Sequence, residues 1–283
     1  MGNSTDLGEL TPNQVQWVPA LRGRAWENFY LLFKTYADTS PEVRPGRVFS
    51  RAFIIEQQHL ALLADLRPLL DLLPALVEKA HSVLPIEFIE LPAPPLQLTP
   101  RLGYLLKELI RPTRSGPLIW AGQAEFEDAA NLLWRTLNAQ ERWELTLNLG
   151  FMPNQLRDTA NLLQLVAVPG AMLERWRSSF FVITPAAAHT ILNEAEAYAA
   201  GDQHKAPNLA RLIKETGTSP RQLTDLDTLQ RVTPTLANLA QASLQEVLAL
   251  AVVLHWYRPA KPNVGWQVTE RLLQLIQTSV PTT

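Results

Sequence analysis

The side chains that most often carry out catalysis or bind metals form no familiar constellation in this sequence. The five histidines are His59, His81, His189, His204 and His255. No two of them are four residues apart, and none lies beside a carboxylate at metal-ligand spacing. His255 lies in an apolar run, where a packed or partly exposed histidine is more common than a ligand or a base. The histidines therefore predict neither a metal site nor a catalytic residue.

Two clusters of charged residues suit acid–base chemistry by type, but each has a simpler interpretation. Alternation on a strand would place Arg142 and Glu144 on one face, where an ion pair is expected. Asp225 and Asp227 lie among turn-forming residues, where solvated or capping roles are more common than paired catalysis. Neither cluster predicts an active site.

Motifs that hold phosphates or activate a nucleophile are missing from the sequence. There is no GxxxxGK[ST] loop, no GxGxxG loop and no Gly-x-Ser-x-Gly elbow. The chain has no cysteine, which excludes disulfides, thiolate metal sites and a cysteine nucleophile. We therefore predict no cofactor, and we do not expect the chain itself to hydrolyse a nucleoside triphosphate.

Arginines around a predicted strand form the best candidate binding surface. Arg44 lies in a Pro-Gly turn, and the strand Val48–Ile55 follows. Two arginines and two aromatic residues share one face of this segment: Arg47, Phe49, Arg51 and Phe53. Such a face suits anionic ligands or an acidic protein surface, although a solvated face whose arginine stems cover the rings is the simpler alternative. Arg22 and Arg24 would extend the patch if the first two strands pair.

The composition is that of a globular protein. The chain has 283 residues, 47% of them hydrophobic and 18% charged, with a formal net charge of −2. This balance argues against a disordered chain and disfavours nucleic-acid binding. The first six residues lack the features of a secretory signal, and the longest apolar run, Val247–Leu254, is far shorter than the roughly 20 residues of a membrane span. We expect a cytoplasmic protein without a membrane segment.

Hydrophobic periodicity predicts an α+β fold. Strands are predicted at Trp26–Tyr36, Val48–Ile55, Pro117–Gly122, Trp143–Gly150 and Leu163–Pro169, with a short edge strand at Ile86–Glu90. Helices are predicted at Gln57–Arg67 (with a kink or second helix to Leu73), Thr99–Ile110, Glu125–Asn138, Ala171–Ser178, Ala186–Ala200, Leu209–Thr216, Ser243–Tyr257 and Gly265–Thr278. These elements indicate a mixed sheet with flanking helices at residues 1–170 and a helical region at residues 171–283.

Short patterns follow one another in a definite order between Trp17 and Pro169. Val43–Ser50 carries an Arg-Pro-Gly turn, then an aromatic and a small polar residue. The later patterns are Asp65-Leu66-Arg67, Leu118–Gly122, Leu133-Trp134, Leu137-Asn138 and Arg142–Leu145. Together they resemble the N-terminal domain of bacterial GTPase-associated proteins. There are two departures, since Arg51 stands where a histidine is often found and Asn138 replaces a proline.

The resemblance implies an adaptor or effector-linked module encoded beside a GTPase in bacterial conflict systems, with no catalytic residues to carry over. We therefore expect a non-catalytic subunit of an NTPase-centred, anti-phage type system that binds a protein partner, an NTPase or effector encoded nearby. The candidate contact residues are Arg44, Arg47, Arg51 and Trp143.

Two further hypotheses remain open. The first is a ligand-sensing or hydrolytic domain with a dispersed site, built from Arg51, Glu56, His59 and Arg142. The second is oligomerisation through the last helix, where Leu272, Leu273 and Ile276 lie at helical spacing.

Overall fold

The computed structural model describes residues 19–37, 48–73, 96–111, 116–156, 161, 163–218, 220–257 and 266–279. The chain divides into two compact units. Residues 1–94, 100–104 and 114–188 form the first, which we call the sheet unit. Residues 95–99, 105–113 and 189–283 form the second, which we call the helical unit.

Seven strands form one mixed sheet in the sheet unit, as the α+β interpretation predicts. They are β1 (Ala20–Trp26), β2 (Phe29–Ala37), β3 (Val48–Glu56), β4 (Leu118–Ala121), β5 (Thr146–Leu149), β6 (Gln164–Val168) and β7 (Phe181–Ile183). Their order across the sheet is β3-β2-β1-β5-β6-β4-β7. The strands β1, β2 and β3 form an antiparallel meander, whereas β5, β6, β4 and β7 are parallel. The two halves join through the antiparallel pair Gly23 and Leu147.

Ten α-helices lie in the described ranges. They are α1 (Arg67–Asp71), α2 (Pro100–Ile110), α3 (Phe126–Thr136), α4 (Ala139–Glu144), α5 (Glu174–Arg177), α6 (Glu194–Ala199), α7 (Pro207–Thr216), α8 (Asp225–Ala237), α9 (Leu244–Tyr257) and α10 (Trp266–Ser279). Short 3-10 helices occur at Gln57–Ala61, Pro153–Gln155, Gly170–Met172 and Gln203–Lys205.

The antiparallel half begins earlier than the sequence predicts. The strand predicted from Trp26 is instead the second arm of a hairpin, whose first arm is β1. Trp26 pairs with Phe29 across a two-residue turn, in which Glu27 has a positive φ of 52°. The pairing of β2 with β3 is antiparallel, as expected for the first two predicted strands.

The single helix predicted at Gln57–Arg67 is wrong, whereas the short second helix predicted to Leu73 is present as α1. A 3-10 helix ends at Ala61, and α1 begins only at Arg67. Pro68 lies in the first turn of α1, where the missing N–H has no helical partner to lose, so this proline starts a helix rather than kinking one. The Arg67 N–H donates to the Asp65 carboxylate at 2.9 Å, which holds the turn before α1.

The strand predicted at Trp143–Gly150 is correct only for its second half. Asn138 and Glu141 form a reciprocal capping box that starts α4, so Trp143 and Glu144 are helical and β5 spans four residues. The expected strand-face ion pair between Arg142 and Glu144 therefore does not form on a strand.

The C-terminal part is helical, as predicted, with several corrections. The region predicted to be helical, residues 171–283, contains the strand β7. The helices α7, α9 and α10 match the predictions within two residues at each end, whereas the segments predicted at Ala171–Ser178 and Ala186–Ala200 hold only the short helices α5 and α6. Asp225 and Asp227 lie in the first turn of α8, which was not predicted. The Asp225 carboxylate accepts from the N–H groups of Arg221 (2.8 Å) and Gln222 (3.0 Å), which holds the turn before α8 and does not cap the helix. The predicted strand Ile86–Glu90 lies outside the described residues.

Helices cover both faces of the sheet. One face of the sheet carries Tyr30 and Lys34 and contacts α3, and we call it the α3 face. The rings of Tyr30 and Trp134 meet edge to face with their centres 5.2 Å apart, and Lys34 pairs with Glu127 at 2.5 Å. The opposite face, which we call the α5 face, carries Ile119, Val166 and Val168. These residues pack against Met172, which precedes α5, and against the fully buried Trp176 of α5.

Tyr30 makes the stability of the sheet unit sensitive to alkaline pH. Its hydroxyl is buried and donates to the carbonyl of Leu145 at 3.1 Å, and burial raises its pKa far above the usual 10.0. Above pH 10 the unfolded chain ionises this group and the folded chain does not. The free energy of unfolding should therefore fall by about 1.4 kcal/mol per pH unit from this residue alone.

Urea unfolding of the wild type and of Tyr30→Phe at several pH values between about 9 and 11 measures this effect. The variant should lose about 1 kcal/mol at neutral pH, because the hydrogen bond is gone, and should show a shallower alkaline decline. Parallel alkaline curves for the two proteins would contradict the prediction.

Candidate functional site

Arg22 and Arg24 do not lie on the sheet face that carries Arg51. Arg51 lies opposite Lys34 and therefore on the α3 face, where it is half-buried. Arg22 lies opposite Phe33, and Phe33 lies opposite Ala52, so Arg22 is on the other face of the sheet. Arg24 shares the face of Arg22. The expectation that Arg22 and Arg24 extend the surface around Arg51 is thus wrong.

Trp143, another candidate contact residue, lies away from Arg51 in the sheet unit. Trp143 is half-buried in α4, which leads into β5, whereas Arg51 is on β3, three strands away in the sheet. Arg44 and Arg47 lie outside the described residues. A role of these four residues in partner binding stays a prediction.

Arg142 is a buried structural residue. It is 8% exposed, and its guanidinium donates to two main-chain carbonyls, that of Trp134 through Nε (2.8 Å) and that of Leu60 through Nη1 (2.8 Å). The guanidinium carbon lies 5.8 Å from the centre of the Trp134 ring. Burial lowers the pKa of Arg142, because desolvation disfavours its charged form. This arginine joins α4 to α3 and to the end of the 3-10 helix that follows β3.

Side chains of α3 bind the residues that follow Leu60 in the chain. Trp134 Nε1 donates to the Leu63 carbonyl at 2.6 Å. The Leu66 N–H donates to the side chain of Asn131 at 2.8 Å, and Arg135 pairs with the buried Asp65 at 3.4 Å. We call this group, together with Arg142, the Leu60–Arg67 clamp.

The clamp brings together several of the short patterns noted in the sequence. Asp65-Leu66-Arg67, Leu133-Trp134 and Arg142 are separated in sequence by up to 77 positions, yet the structure brings them to one place. Their chemistry here is to satisfy buried main-chain groups, which are costly to leave without partners. Sequence reasoning missed the clamp, because main-chain carbonyl acceptors leave no signature in the residue types.

A second buried arginine, Arg101, ties together the carboxyl ends of two parallel strands. Its Nη2 donates to the carbonyls of Ala121 at the end of β4 (2.6 Å) and Ile183 at the end of β7 (2.9 Å). Its guanidinium stacks on the Trp120 ring, with the carbon 3.6 Å from the ring centre. Burial lowers the pKa of Arg101, and nearby Glu125 partly offsets this. Sequence patterns assigned Arg101 no role beyond a place in the helix predicted at Thr99–Ile110.

The residues of the proposed dispersed site have separate environments. Glu56 is exposed and accepts from Gln58 at 2.6 Å, His59 is half-buried in the 3-10 helix, and Arg142 is used by the clamp. A cavity at the carboxyl ends of β5 and β6 measures about 20 Å³, which holds about one water. Its lining includes Leu21, Gln123, Phe126, Glu127, Leu149 and Ala167.

Among the described residues, no group of three histidine, cysteine, aspartate or glutamate side chains is arranged to hold a metal ion. None of the helices described is both long and apolar enough to cross a bilayer.

The chain was compared with known proteins and families. No curated protein and no solved structure matches it. A family model described as "GTPase-associated protein 1, N-terminal domain type 1" matches residues 1–73. The described part of this segment comprises the β1–β3 meander, the segment held by the clamp, and α1. The match confirms the resemblance to the GTPase-associated protein family over residues 1–73 of this chain.

Proposed function

We propose that this chain is a non-catalytic adaptor subunit that binds a GTPase or a GTPase-linked effector in a bacterial conflict system. The observation that carries the proposal is the family match of residues 1–73, because the description of that family names association with a GTPase.

The positions of the arginines also support an adaptor. Two buried arginines of the sheet unit, Arg101 and Arg142, donate hydrogen bonds to main-chain carbonyls of this chain. Their guanidinium groups are therefore engaged in holding the fold. Arg51 lies half-buried on the edge strand β3, opposite Lys34, which is paired with Glu127 at 2.5 Å. An arginine at this edge suits an acidic partner surface.

The test measures binding of the full chain to the purified GTPase encoded beside its gene, without nucleotide, with GDP and with a non-hydrolysable GTP analogue. The double variant Arg47→Glu/Arg51→Glu should bind roughly 10- to 100-fold more weakly, because two attractive contacts become repulsive. Circular dichroism and the melting temperature of the variant establish that it folds.

The matched control is Arg175→Glu/Arg177→Glu, which makes the same charge change at two exposed positions of α5. Its affinity should stay within about threefold of the wild type. Wild-type binding that is insensitive to Arg47→Glu/Arg51→Glu would reject these arginines as contacts. A wild-type chain that binds no neighbouring gene product in any nucleotide state would reject the adaptor.

A further inference from the structure

The two edges of the sheet differ sharply. At one edge, β7 has three residues, which is short enough to offer little to a foreign strand. At the other, β3 has nine residues, and all nine pair with β2 in one uninterrupted register without a bulge. The strand contains no proline, and its charged residues are Arg51 and Glu56. Within the described residues, β3 thus lacks the short length, proline and bulge that usually block strand addition at an edge.

The hairpin register shows which main-chain groups of β3 point outward. The two-residue turn makes Trp26 and Phe29 a hydrogen-bonded pair, so alternate residues of β2 from Phe29 onward point their main-chain groups to β1. The β2 residues between these alternate residues point their main-chain groups to β3. The hydrogen bond from the Gln57 N–H to the Asn28 carbonyl (3.1 Å), one step before β2, follows the same alternation. Some residues of β3 pair with the residues of β2 that point to β1. These β3 residues therefore point their own N–H and C=O groups away from the sheet, and they are Val48, Ser50, Ala52, Ile54 and Glu56.

The same residues expose their side chains. Ser50, Ala52 and Ile54 are exposed on the α5 face, and Ile54 is 61% exposed. This row carries no charge between Val48 and Ile54. A strand laid beside it would gain main-chain hydrogen bonds and would cover an apolar side chain, provided that its own residues on this face are uncharged and β-branched or apolar.

We propose that β3 is a docking edge, on which the partner GTPase adds an extended segment as an eighth strand of the sheet. The proposal rests on the adaptor function above and names the chemistry of the contact. Main-chain hydrogen bonds to Ser50, Ala52 and Ile54 hold the segment, and its alternating uncharged residues cover Ile54. Because β3 lies within residues 1–73, the docking edge belongs to the part of the chain that carries the family match.

Ala52→Pro tests the main-chain contact with little change to the fold. It removes an N–H that points outward and leaves the β2–β3 hydrogen bonds in place, a position where edge strands tolerate proline. The dissociation constant with the GTPase should rise at least tenfold, whereas the matched variant Ala52→Val, which retains the N–H, should stay within about twofold. Ile54→Lys should also weaken binding, and Ile191→Lys, at a position 84% exposed in the helical unit, should not.

Amide hydrogen exchange provides a readout that does not depend on any variant. In the free chain the amides of Ser50, Ala52 and Ile54 should exchange quickly, and in the complex at least tenfold more slowly. Slow exchange in the free monomer would mean that the chain covers its own edge. Light scattering that shows a dimer converted to a monomer by Ala52→Pro would mean that a second copy occupies it.

These outcomes separate the two proposals. Wild-type binding that Ala52→Pro and Ile54→Lys both leave unchanged overturns the docking edge and keeps the adaptor. A self-covered or self-paired edge also overturns the docking edge. A wild-type chain that does not bind the GTPase overturns the adaptor, and the docking edge with it.

Discussion

Replacing Arg142 by methionine is expected to lower the free energy of unfolding of the sheet unit by about 3 kcal/mol. Methionine fills much of the same volume but cannot donate, so the carbonyls of Leu60 and Trp134 would remain buried without partners. Each such acceptor costs about 1–3 kcal/mol, and removal of a buried charge offsets part of the sum. Urea unfolding, followed by exchange of β2 amides, measures the loss within this unit.

The control for this change is Arg177→Met. Arg177 is exposed on α5 and pairs with the exposed Glu174, so its loss should change the free energy of unfolding by less than about 0.5 kcal/mol. Arg142→Lys should fall between the two, because an ammonium group cannot reach both carbonyls with the geometry of a guanidinium. An Arg142→Met protein as stable as the wild type would show that the clamp does not depend on this residue.

Replacing Arg101 by methionine should destabilise the sheet unit by a similar amount, about 3 kcal/mol, with the largest effect at the β7 edge. The variant loses the donor shared by the carbonyls of Ala121 and Ile183 and the cation stacked on Trp120. Because β7 has only three residues, it has few ladder bonds to compensate. Amide exchange at Val182 and Ile183 should therefore accelerate more than exchange in β2.

A uniform acceleration across the whole sheet would contradict the local role given to Arg101. The comparison with Arg142→Met sharpens this test, because Arg142 acts near the antiparallel half and Arg101 at the far end of the parallel half. In Arg142→Met, amide exchange should accelerate less near Arg101 than near Arg142. In Arg101→Met, it should accelerate less near Arg142 than near Arg101.

The sequence predicted well the elements whose apolar pattern is unambiguous. The strands β4 and β6 and the helix α3 were found almost to the residue, because a short apolar run bounded by Gly or Pro and a strong 3.6-residue period each have one interpretation. The strand β1 was missed because its sequence Ala-Leu-Arg-Gly-Arg-Ala-Trp is interrupted by glycine and arginines. The Asn138–Glu141 spacing was the available signal that Trp143 begins no strand.

The candidate site was harder to predict than the fold. Alternation gave the correct faces of β3, but it could not say that β2 separates Arg22 from Arg51 and that the two occupy opposite faces. That knowledge requires the register between strands, which turn geometry and neighbouring helices determine. The buried arginines were equally inaccessible, since their acceptors are main-chain carbonyls supplied by segments distant in sequence.

The join between the two halves of the sheet has a consequence for how the chain folds during synthesis. The meander β1–β3 consists of local hairpins, which form rapidly once residue 56 has left the ribosome. Its α3 face, however, is completed by Trp134, and its connection to the parallel half is the pair of Gly23 with Leu147. A nascent chain that has emerged only to residue 73 therefore contains the whole family-matched segment but presents that face uncovered. Some seventy further residues must be translated between residue 73 and Leu147 before the core around the early hairpins is complete. Chaperones can act on the uncovered face during that interval.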